Sequence, residues 1–292
     1  MNASLYRRTD LAVEETSFST PHSGVGIQEE TKDSLRITTV HVLNEEGARH
    51  LSRPVGHYIT LAFSPFWKGY EEESRRETCS ALARSLRFLL QKEGSPKRIL
   101  VVGLGNRAIT ADAIGPLVAD KIEVTGHFEQ EEALRPYLPP CPLYAISPGV
   151  VGNTGIETQK LIQAAISASK ASHVIVVDSL AALSTSRLGT CIQLSDSGIT
   201  PGSGIGNHRA ALNRATLGIP VIAIGTPLVV SSSTLVFDAL DQAGIQDVSP
   251  SLLAVLENGK SFFVTLNESD LATAGLSGVI ADAINTCASN VT

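Results

Sequence analysis

The chain has 292 residues, with 29 acidic and 23 basic side chains, a formal net charge of −6, and 43% apolar against 18% charged residues. Such a length can bury a full core in one large domain or two small ones; the acidic balance argues against a nucleic-acid binder with a basic face, and the apolar content against a disordered chain. Cys79, Cys141, Cys191 and Cys287 lie at least 50 residues apart, with no CxxC or Cys/His cluster, so no disulfide framework or zinc site is expected and a reducing cytoplasm is the simplest compartment.

The first 15 residues are polar and lack the apolar centre of a secretory signal. No run approaches the roughly 18 apolar residues of a membrane span, so no membrane partner is expected. Residues 1–34, rich in Ser, Thr, Glu and Gly without a period, read as an arm or irregular segment. Two short apolar runs, Ile37–Leu43 and Tyr58–Phe63, predict a strand pair around a turn region at Gly47. Over Glu71–Lys92 the apolar residues Leu82, Leu86, Leu89 and Leu90 recur at three- and four-residue steps, predicting a long helix stopped by Gly94-Ser95-Pro96.

From residue 98 strands and helices alternate. Ile99–Gly103, Leu143–Ile146, His173–Asp178 and Pro220–Gly225 read as buried strands, with helices expected from Asp112, over Thr158–Lys170 and over Thr234–Ala243. Continuous aliphatic runs of this kind fit parallel strands covered by helices on both faces. The fold expected is a three-layer α/β/α sandwich with a mostly parallel sheet, whose chemistry lies beyond the carboxyl ends of the strands.

Three loops fall at that edge. The first, Gly103 to Pro116, contains GxGxxA at Gly103, Gly105 and Ala108, which raises a dinucleotide site and a nucleotide-binding oxidoreductase. Its helix starts near Asp112, too late to present an N-terminus to a phosphate at the second glycine. The second loop follows Asp178 at the end of an apolar strand, where a carboxylate is either a helix N-cap or a catalytic group; Asp112 has the same ambiguity. The third runs from Gln193 to Arg209 with four glycines in nine residues, Gly198, Gly202, Gly204 and Gly206, which permit positive φ and close approach to a ligand. Ser203 with His208 lacks the GxSxG elbow of a serine hydrolase. The histidines are scattered and no HExxH spacing supports a metal.

In these loops the sequence resembles the germination protease family of endospore-forming bacteria, an aspartic-type endopeptidase family. The matching stretches include Arg8-Thr-Asp-Leu-Ala-Val-Glu14, Val101-Val-Gly-Leu-Gly-Asn106, Asp112-Ala-Ile-Gly-Pro116, Ser147-Pro-Gly-Val150, Val177-Asp-Ser-Leu-Ala-Ala182, Pro201-Gly-Ser-Gly-Ile-Gly-Asn207 and Thr216 to Gly225. They run in family order from residue 8 to about 230 and weaken beyond Val230. The resemblance implies a fold similar to hydrogenase-maturation endopeptidases and two essential aspartates, matched by Asp112 and Asp178. It also implies substrate-binding or loop support from Asn106, Gly149, Gly202, Ser203, Gly204 and Gly206, and no cofactor or metal.

Members of the family are made as zymogens and cut themselves within the stretch matched by Arg8–Glu14. The cut implied here is between Asp10 and Leu11, leaving residues 1–10 as a propeptide and 11–292 as one α/β peptidase domain whose residues 11–70 form a β-rich or irregular arm. The implied substrates are the small acid-soluble proteins that coat spore DNA, cut after an acidic residue that precedes a bulky apolar one, Ala, a small or branched residue and Glu. The implied setting is a homotetramer in the cytoplasm of the spore core, with no direct nucleic-acid contact. Two departures from the family pattern stand out: Ala111 replaces the usual Pro before the first aspartate, and Leu183 replaces an Arg after the third strand. Losing that cation implies altered substrate handling. A non-catalytic α/β scaffold is the remaining alternative, since fold does not fix function.

Overall fold

The computed structural model describes residues 9–16, 23–32, 35–69, 71–202, 209–245, 248–258 and 262–290. Its strands are β1 (Val25–Lys32), β2 (Leu35–Val42), β3 (Gly56–Ala62), β4 (Ile99–Gly103), β5 (Leu143–Ile146), β6 (His173–Ala182), β7 (Cys191–Ser195), β8 (Val221–Ser231) and β9 (Phe263–Val264). The helices are α1 (Ala12–Thr16), α2 (Glu45–Leu51), α3 (Glu72–Lys92), α4 (Ile114–Asp120), α5 (Val151–Thr154), α6 (Thr158–Ser169), α7 (Arg214–Leu217), α8 (Ser232–Gln242), α9 (Pro250–Asn258) and α10 (Ser269–Ser289).

All these strands join one sheet, in the order β1-β2-β3-β7-β8-β6-β4-β5, with β9 added on β8. Its parallel part, β8-β6-β4-β5, is made from the aliphatic runs expected to form it. β7, β3, β2 and β1 continue the sheet antiparallel, which makes it mixed. Successive residues of a strand face opposite sides, and here each side has its own core. Ile99, Val101, Ile175, Val177, Ile222 and Ile224 pack under α3, α4 and α10. Leu100, Val102, Val174 and Val176 pack with Ile162 of α6 and Leu217 of α7. This is the three-layer α/β/α sandwich.

Several elements differ from the sequence expectation. Residues 25–32 form a strand rather than an irregular arm, held by backbone pairing along the whole of β2 although most of its side chains are exposed. β6 runs to Ala182 instead of ending at Asp178, because β8 keeps pairing with it after β4 has stopped at Gly103↔Val177. The third loop opens after Ser195, since Gln193 lies inside β7. A short 3₁₀ turn, Thr110–Asp112, precedes the helix expected from Asp112. The C-terminal helix α10 was unforeseen. It is long and apolar enough to cross a membrane, but Leu276, Val279, Ile280 and Ile284 are buried against the sheet and α3.

Candidate active site

The glycine fingerprint of the first loop is used for packing. A Cβ on Gly103 would stand 2.1 Å from the Gly115 carbonyl oxygen, and one on Gly105, whose φ is +114°, 2.0 Å from the Asp112 carbonyl oxygen. The backbone of residues 112–116 therefore fills the space a cofactor phosphate would need beside these glycines. That close approach brings Asp112 under the end of β6. Its Oδ2 accepts the Asn106 N–H at 2.8 Å and its Oδ1 the Ser179 hydroxyl at 3.3 Å.

Asp178 sits where the sheet loses β4 on one side and keeps β8 on the other. No helix follows it, so the cap role is absent; its carboxylate accepts the Ser179 N–H at 2.9 Å. Asp178 is 6% exposed. Burial first, then the charges of Asp112 and Asp10, hold its carboxyl well above the usual carboxylate range, against the Ser179 amide and Arg209. Burial also raises Asp112, opposed by the Asn106 amide, the Ser179 hydroxyl and Arg209. The charge of Asp112 is thus felt at Asp178, and the two carboxyls stand in unequal environments.

Asp10, Asp112, Asp178, Gly149, Gly202 and Arg209 line one cavity of about 260 Å³. Asp10 comes from the N-terminal segment, which is seated on β6. Its N–H donates to the Ala181 carbonyl and its carboxylate accepts the Ala181 N–H, both at 2.9 Å. Leu11 is fully buried among Leu180, Leu188, Cys191 and Val230, and Ala12 among Val40, Val42, Leu51 and Tyr58. The Glu14 carboxylate takes the Leu183 N–H at 2.8 Å, the Ser184 N–H at 3.2 Å and the Thr9 hydroxyl. Burial raises its pKa. Arg53 donates to the Thr9 carbonyl at 2.6 Å and pairs with Glu15 at 2.7 Å. Gln193 Nε2 donates to the Asp10 carbonyl oxygen at 2.9 Å, while its Oε1 accepts the Ala12 N–H at 2.8 Å.

Of the expected residues, Asp112, Asp178, Gly149, Gly202 and Asp10 thus meet at one cavity, and Asn106 holds Asp112. Leu11 is the anchor next to it; Ser203, Gly204 and Gly206 lie outside the described residues. Sequence reasoning missed Gln193, Arg53 and Ser179, and gave Arg209 no role. Gln193 had a faint signal, as a polar residue inside the apolar run Cys191–Leu194. The two departures stand beside groups already described. Ala111 belongs to the core cluster that includes Ile114, and Leu183 holds Glu14 through its backbone amide, which an Arg there would supply equally.

The germination protease family model matches residues 5–244. The chain is 37% identical over 281 residues to a germination protease of Clostridium perfringens, covering 92% of this chain and 82% of that one. It is 38% identical to that of Clostridium tetani (90% and 81% covered) and 40% identical to that of Bacillus licheniformis (80% and 66%). Among solved structures it is similar to a nickel-iron hydrogenase maturation protease from Thermococcus kodakarensis, at 19% identity and a TM-score of 0.33 over 56% of this chain and 99% of that one.

Proposed function

We propose a function from one premise: the chain belongs to the germination protease family. Its activity is proteolysis in germination, and beyond that we infer a self-processing endopeptidase of atypical aspartic type. Asp112 and Asp178 are its acid/base pair, and its first cut lies between Asp10 and Leu11. The observation that carries this is Asp10, which lines the same cavity as both aspartates.

Asp112, the less strongly raised carboxyl, takes a proton from water as the water oxygen bonds to the Asp10 carbonyl carbon. Asp178, the more strongly raised, gives its proton to the Leu11 nitrogen as the C–N bond breaks. The products are a carboxylic acid on Asp10 and an amine on Leu11, with one water consumed. The pair needs one proton in place, so activity falls as pH rises past the raised Asp178 and again in acid once Asp112 is protonated. The optimum therefore lies above the ordinary carboxylate range.

The seated segment serves as a template for substrates, the small acid-soluble proteins of the spore. The Ala181 amide receives the acidic residue, the pocket around Leu180 and Val230 the bulky apolar one, and the enclosed Ala12 site admits only a small side chain. The amides of Leu183 and Ser184 receive the Glu. The same reading has residues 1–10 as propeptide, 11–292 as the working domain, and a homotetramer in the spore core. Asp112→Asn and Asp178→Asn test it: each is expected to slow release of residues 1–10 by ~10²–10⁴-fold, with wild-type product beginning at Leu11 on N-terminal sequencing. Wild-type speed in either variant removes that carboxylate from the chemistry.

A further inference from the structure

Asp10 and Leu180 each line two cavities. One is the 260 Å³ space with the aspartates. The other, of about 310 Å³, is also lined by Arg53, Tyr58, Gln193, Ser197 and Gly225. The Asp10 carbonyl oxygen accepts from Gln193, which lines the second cavity, while Asp10 itself also lines the first. Gln193 is 8% exposed, and its backbone is fixed between β3 and β8, paired with Thr60 and Gly225. Its amide is thus a pre-aimed, largely buried donor, the arrangement that stabilises charge developing on an oxygen. Its carbonyl end, on the Ala12 N–H, fixes which way the amide points.

Resting on the self-processing activity proposed above, we propose that Gln193 is a catalytic residue whose Nε2–H binds the oxyanion formed on the carbonyl of the bond being cut. As the water oxygen bonds to the Asp10 carbonyl carbon, the C=O π pair moves onto the oxygen that Gln193 already holds. When the C–N bond to Leu11 breaks, that pair returns to re-form C=O, and the Gln193 amide is unchanged. The same donor faces the corresponding carbonyl of each protein substrate that takes the segment's place.

The competing role is a clamp that only keeps the segment seated. Two variants of the full chain separate these. Gln193→Met, of similar length, removes the donor without adding charge. Gln193→Glu keeps an acceptor for the Ala12 N–H and regains a donor only when its new carboxyl is protonated. The readouts are the first-order rate at which chains beginning at Leu11 appear, across a pH series, and amide hydrogen exchange of residues 9–16. Expected for Gln193→Met is a rate loss of ~10²–10³-fold at every pH, with Asp10 and Leu11 amides still protected. Expected for Gln193→Glu is a similar loss near neutrality whose ratio to wild type recovers on acidification. If either variant cuts at the wild-type rate, or if faster exchange of residues 9–16 accounts for the whole loss, Gln193 is not the oxyanion donor. If one variant fails to fold, the other decides. A wild-type product starting elsewhere than Leu11 removes the self-cleavage assignment and this role with it, whereas correct wild-type processing with unaffected variants removes this role alone.

Discussion

A carboxyl inside a strand, as Asp178 is, carries a cost when ionised that folding must meet. Because burial and two neighbouring carboxylates raise its pKa in the folded chain, its contribution to stability is complete below the unfolded value of about 4 and is lost as pH rises through the folded value. Asp178→Asn removes that loss. The variant is therefore expected to melt above wild type at pH 8 and to show no such advantage at pH 4, which thermal denaturation at the two pH values would check. A lower melting temperature at pH 8 would mean that Asp178 is ionised and satisfied by partners such as Arg209. Position near the ends of aliphatic strand runs drew attention to both aspartates but left each open between helix cap and catalytic group; the resemblance to the germination protease family singled them out. Gln193 was not legible, because its partner Asp10 is 183 residues away and no local spacing encodes a contact made when a terminal segment is laid across a sheet.

Helix α3 and strands β4, β6 and β8 could be read directly, since their apolar residues repeat at helical steps or fill short continuous runs. β1 could not: Val25–Lys32 is largely exposed and held by its backbone pairing, so it has no apolar alternation to find. α10 escaped for the opposite reason. Its buried residues are Ala, Ser and Thr as well as Leu, Val and Ile, and small residues on several faces blur the stripe that marks an amphipathic helix. Small side chains let α10 lie close on α3 and on Trp67, whose Cβ is 2.9 Å from where a Gly275 Cβ would stand. The layer is close-packed, so deleting a large side chain from it leaves a void. Leu276→Ala, at a fully buried position, is expected to destabilise the fold by about 2–5 kcal/mol, measured by urea unfolding.

At the scale of the whole molecule, the acidic excess bears on detection rather than on chemistry. Residues 1–10 contain Arg7, Arg8 and Asp10, so their departure takes the formal side-chain charge from −6 to −7. Processing is thus expected to move the chain to a more acidic position on isoelectric focusing, in step with the appearance of Leu11 as first residue. Asp10 lines both cavities, which gives the self-cleavage proposed above a one-way character. A wall made of the protein's own chain can be breached once and not rebuilt. Departure of Asp10 would remove a wall shared by the chambers around the aspartates and Gln193. Maturation would then be a single irreversible act of excavation, performed by the groups that afterwards work in the space they have cleared.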